Sequence, residues 1–82
     1  MYQLWQRKAD GRFYEIKLFQ DLLGDWLICL AWGSRNVRPR GQTLLFDSCQ
    51  SALARLPELE KRRKAHHYTL IETQQGSIKQ WI

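Results

Sequence analysis

The chain reads as an α+β domain, a mostly antiparallel twisted sheet with one helix packed on a face. Three observations predict this class. Residues 12–19 alternate apolar and polar side chains, and residues 26–32 are apolar on both sides, as strands do. An Asp10-Gly11 pair separates two strand-like stretches, and Asp-Gly is a strong hairpin signal. After the strands, residues 49–66 repeat apolar side chains at helical spacing.

Eighty-two residues make a single domain, 1–82, with a small core. A hydrophobic fraction of 44%, with four Trp, three Tyr and three Phe, suffices for that core and exceeds what a disordered tail carries. No apolar run approaches the length of a membrane span, and residues 1–9 lack a signal-peptide core. A soluble, cytoplasmic protein without a membrane partner is expected.

Taken in order, residues 2–8 form the first strand, with β-favouring Tyr2 and Trp5. Asp10-Gly11 predicts a type I′ turn, because both residues tolerate positive φ. Residues 12–19 return as the second strand, with Tyr14, Ile16 and Leu18 on one face. Phe13, Glu15, Lys17 and Phe19 lie on the other, half-wet face. Residues 20–25 connect to a third strand, 26–32, which places Trp26, Ile28, Leu30 and Trp32 on one side and Leu27, Cys29 and Ala31 on the other. Such a strand is central and covered on at least one side. A fourth strand spans 43–46.

Asp47 or Ser48 caps the helix, and Asp47 with Gln50 has capping-box spacing. Cys49, Ala52, Leu53 and Leu56 should face the sheet. Pro57 predicts a kink or break near Leu56, since an interior proline removes a hydrogen bond and clashes one turn back. The helix then resumes to about His66. Residues 68–73 form a strand, 74–77 a turn and 78–82 a short final strand. Cys29 and Cys49 lack metal-ligand spacing, and a disulfide is disfavoured in a reducing compartment. Both are expected unpaired and mostly buried.

The charge is +5 and uneven. Residues 1–30 carry four basic and four acidic side chains; residues 31–82 carry nine basic and four acidic. Much of the excess lies in the stretch from Trp32 to Gln42, with three arginines and no acid. Guanidinium groups pair with phosphates, and indole faces stack on sugars or bases. The candidate nucleic-acid contacts are Trp32, Gly33, Arg35, Arg38, Arg40 and Gln42. Lys61, Arg62, Arg63 and Lys64 form an auxiliary field, in which at most two can face one ligand because successive helical residues point about 100° apart. The competing reading is a solvated loop with Trp32 filling a sheet edge. His66-His67 has no acid–His–nucleophile set or ligand cluster beside it, so no catalysis, metal, cofactor or small-molecule substrate is expected.

Gly24-Asp25-Trp26, an apolar run, Trp32-Gly33, a basic loop, Gly41-Gln42 and a following helix together resemble the WGR domain. That family is named for a Trp-Gly-Arg signature. It occurs beside the catalytic domain of DNA-dependent poly(ADP-ribose) polymerases and as small free-standing bacterial proteins. The resemblance is strongest over residues 10–68. The chain departs from the pattern at Ser34, which stands in the place of the signature Arg with Arg35 beside it. Its loop is also longer, and His67-Tyr68 replaces a Gly-Tyr pair after the helix. The resemblance implies a non-catalytic module for DNA backbone or DNA ends, with Trp32 near the end of a strand. Composition alone implies only a polyanion. The alternative is a protein–protein docking domain whose basic loop binds an acidic partner, since WGR domains also bridge neighbouring domains.

Overall fold

A computed structural model describes residues 1–74. The elements are β1 (Tyr2–Arg7), β2 (Arg12–Gln20), β3 (Trp26–Gly33), β4 (Arg40–Phe46), α1 (Cys49–Ala65) and β5 (Thr69–Gln74). The strands make one antiparallel sheet of order β4-β3-β2-β1-β5. Four strands run as a meander. The helix then carries the chain back across one face, so that β5 pairs with β1 at the far edge. The expected final strand, 78–82, and most of the turn before it lie outside the described residues; Gln74 itself closes β5. Among the described residues no helix is long and apolar enough to cross a membrane.

Period-two alternation decides which face is buried. Tyr14, Ile16 and Leu18 on β2 are buried, as are Ile28 and Leu30 on β3 and Trp5 on β1. They meet Ala52 and Leu59 of the helix. Phe13, Glu15, Lys17 and Phe19 are half-buried on the opposite face, as the alternation requires. One polar side chain enters the core. Gln3 donates from Nε2 to Glu60 (2.8 Å) and accepts from Trp5 Nε1 (3.0 Å). Its amide is thereby satisfied, and it ties sheet to helix.

The first hairpin differs from the expected type I′ turn. Arg7 pairs with Arg12, leaving four loop residues. Only Gly11 takes a left-handed φ there, 72°, and its N–H donates to the Arg7 carbonyl at 2.9 Å. The Asp10 carboxylate accepts from the Arg12 backbone N–H and from the Arg7 guanidinium (2.7 Å), which fixes Asp10 in an Asx-type turn at negative φ.

The helix settles which residue is the cap and corrects two expectations. Ser48 is the cap: its Oγ accepts from the Ser51 N–H at 3.1 Å, and Asp47 stands one residue outside. The kink or break expected near Leu56 is absent as a break, because one helix runs from Cys49 through Pro57 to Ala65. Pro57 and Leu53, whose carbonyl would otherwise accept from residue 57, are both exposed, so solvent is at hand to satisfy that carbonyl. Leu53 is 47% exposed and does not face the sheet; Leu59 does, completing a stripe with Ala52 and Leu56. The two cysteines are free and half-buried rather than mostly buried. Cys29 lies on the face away from the helix, 3.8 Å from Thr43 Oγ1, and Cys49 occupies the helix's first position.

The helix ends in a Schellman motif. Tyr68 N–H donates to the Arg63 carbonyl (2.9 Å) and His67 N–H to that of Lys64 (3.0 Å). His67 takes φ 67°, a position that glycine usually fills.

Candidate nucleic-acid interface

Trp32 pairs with Arg40, Ala31 with Gly41 and Leu30 with Gln42. The basic stretch is therefore mostly hairpin, and its irregular part shrinks to residues 34–39. Glycine is what lets the strands close. A Cβ at Gly41 would lie 3.1 Å from the Leu30 carbonyl oxygen. One at Gly33 would lie 3.3 Å from Pro39 Cα and 3.4 Å from the Phe13 ring. The loop turns where Val37 N–H donates to the Ser34 carbonyl at 3.2 Å.

Strand register puts Arg12 and Tyr14 of β2, Trp32 of β3, and Arg40 and Gln42 of β4 on the same side of the sheet as the helix. A pocket of about 310 Å³ opens there. Trp32 and Tyr68 supply its aromatic lining and Arg12, Arg38 and Arg40 its cations, together with Gly33, Ser34 and Val37. Three segments distant in sequence thus converge: the start of β2, the β3–β4 hairpin and the residue after the helix.

Behind the pocket runs a ladder of rings and guanidinium groups. Trp32 stacks on Tyr14, with centroids 5.6 Å apart and planes at 10°. Tyr14 meets Tyr68 edge-on at 6.2 Å. The Arg63 Cζ lies 3.8 Å from the Tyr14 centroid and 5.2 Å from that of Tyr68. Arg7 adds a contact at 5.1 Å to Tyr68, while also donating to the His66 carbonyl and to Asp10. The Schellman turn places Tyr68 in this ladder, linking the helix end to the pocket wall.

Electrostatics divide the arginines. The Arg7 hydrogen bond holds Asp10 down to about 2, so its carboxylate stays charged and offsets Arg7. Arg12 lies 3.5 Å from the same carboxylate. Arg38 and Arg40 have no ion pair among the described residues. Burial raises the Tyr14 hydroxyl above its usual range, opposed by the Arg63 and Arg62 cations. Among the described residues Arg63 has no acid partner either, and its buried Nε has no hydrogen-bond partner. A cation held against two tyrosine faces is stabilised by the rings' quadrupoles.

Of the candidate residues, Trp32, Gly33, Arg38 and Arg40 come together at the pocket. Gln42 lies on the same face one pair further along β4, outside the lining. Arg35 is exposed on the loop and takes no part in the pocket. Lys61, Arg62 and Lys64 are exposed, whereas Arg63 is turned inward onto Tyr14. Arg12, Tyr14 and Tyr68 are absent from the candidates. A signal for the first two exists: Arg12 and Tyr14 share the alternating face of Ile16 and Leu18, whose burial the sequence does predict. For Tyr68 the only signal is the resemblance, in which His67-Tyr68 stands in the place of a Gly-Tyr pair after the helix.

The arrangement sets three guanidinium groups beside two aromatic rings. Among the described residues no group of three or more His, Cys, Asp or Glu could hold a metal ion. No family model, curated protein or solved structure matches the chain.

Proposed function

We propose that this chain is a WGR-like, non-catalytic module that binds nucleic-acid backbone, with DNA ends as its preferred target. The observation that carries the reading is the convergence of Arg12, Arg38 and Arg40 with half-exposed Trp32 in one pocket. Among the described residues two of these cations lack a protein counter-ion, so a phosphate would complete them without displacing a salt bridge there. Phosphate contacts position a protein without reading bases. A pocket bounded by a hairpin on one side and Tyr68 on the other suits a terminal sugar–phosphate better than an uninterrupted duplex, which needs an open track. Ser34 lines the pocket where the family signature would place an arginine. In this reading Arg38 and Arg40 of the longer loop, with Arg12, take over that role.

The test compares a duplex with free ends and the same duplex closed by hairpin caps, each across a salt series. Binding should favour free ends. Three phosphate contacts give a slope of log K against log salt of roughly −2 to −3. Equal affinity for both forms would restrict the reading to backbone binding. No binding to either near physiological salt would defeat it and leave an acidic protein as the partner of the basic loop.

A further inference from the structure

We infer that the sheet face opposite the helix is a homodimer interface, on which two copies of the chain stack their sheets face to face. The single helix covers one side only. The other side presents Leu4, Phe19, Leu27, Cys29, Ala31 and Leu45, and among the described residues no element packs on it. Leu45 is 67% exposed. An apolar face of this extent on a soluble chain marks an interaction surface.

Charge and size identify the occupant. The helix side carries Arg7, Arg12, Arg40 and Arg63 and suits a polyanion. At its centre the opposite side carries Glu15 and Lys17, two residues apart on β2, the middle strand of five; Glu15 accepts from the Tyr2 hydroxyl at 2.7 Å, Lys17 lies over the Tyr2 ring, and Glu72 stands opposite Leu4 on the edge strand. That pattern is complementary to itself. If β2 stacks antiparallel on its copy about a two-fold axis at Ile16, Glu15 of each chain faces Lys17 of the other, and both contacts repeat by symmetry. Five strands at about 4.8 Å and about seven residues at about 3.3 Å span a flat projection of roughly 500–600 Å². Side-chain relief brings this towards the roughly 800 Å² per partner of a standard stable complex. Sheets packed this way sit about 10 Å apart and bury both faces. The dimer leaves both pockets on its outer surfaces, so one assembly offers two sites. This inference does not depend on what those sites bind.

The test is sedimentation equilibrium of the full chain from micromolar to millimolar concentration, with circular dichroism to confirm folding. A dimer is expected. Leu45→Glu, a change at an exposed position, should weaken it by about tenfold or more. Glu15→Lys alone places like charges opposite one another and should do the same, while Glu15→Lys with Lys17→Glu restores association. A monomer at every concentration overturns the proposal. So does a dimer that persists unchanged in both Leu45→Glu and Glu15→Lys, since its contact would then lie elsewhere.

Discussion

Trp32 serves the fold and the pocket at once. Its ring stacks on Tyr14, yet it remains half-buried at the pocket beside Arg38 and Arg40. The two readings open to the sequence, core filler and ligand platform, are therefore not exclusive. Trp32→Ala should cost about 2–3 kcal/mol of stability, less than a fully buried aromatic. If a base or sugar stacks there, it should also cost about 1–3 kcal/mol of binding with little change in salt slope. Urea unfolding and DNA titration of one variant separate these effects. His67 offers a cleaner case. A left-handed φ costs a residue with a Cβ about 1–2 kcal/mol, which glycine avoids. His67→Gly should raise stability by about 1 kcal/mol after the greater unfolded-state entropy of glycine is subtracted. A lower urea midpoint would show that His67 makes a stabilising contact that outweighs the strain.

At the scale of elements, strand alternation was legible because the centre of one sheet face is buried under the helix and the other face is not. Tyr14, Ile16 and Leu18 announce the core side of β2 without any knowledge of the helix. Pro57 and the basic hairpin were not legible, for a shared reason. A proline inside a helix and a glycine beside a loop are local signals whose outcome depends on what lies next to them. Exposure of Pro57 and Leu53 puts solvent at hand to satisfy the Leu53 carbonyl. Gly33 and Gly41 mark close backbone approach within a paired hairpin rather than the limits of a loop. Since the helix runs on through Pro57, Pro57→Ala should stabilise the protein by about 1–2 kcal/mol, the interior-proline penalty less the entropy that proline removes from the unfolded chain. Chemical denaturation checks this, and a loss of stability would mean that the proline ring packs usefully where it stands.

Across the whole molecule, the sheet separates two kinds of surface. One side carries the helix, the aromatic ladder and the pocket arginines; the other mixes apolar side chains with Glu15, Lys17 and Glu72. The excess charge in residues 31–82 was legible from composition, and so was the pairing of a tryptophan with a basic loop. What composition could not give is selection among the arginines. Arg35 is the arginine nearest Trp32-Gly33 in sequence but lies outside the pocket, whereas Arg12, from a different hairpin, lines it. Register between β2, β3 and β4 makes that selection, and register is a non-local property. The helix run of Lys61, Arg62, Arg63 and Lys64 divides in the same way, with Arg63 engaged by Tyr14 and its neighbours exposed.

We propose that Arg12, Arg38 and Arg40 bind phosphate together in one pocket beside Trp32. The most direct test is the salt dependence of duplex-end binding for the native chain, for the triple change Arg12→Ala, Arg38→Ala and Arg40→Ala, and for Arg35→Ala alone. The triple variant should lower the slope of log K against log salt by about 2–3 units, and Arg35→Ala should leave it nearly unchanged. A folded triple variant with native affinity and native slope would contradict the claim.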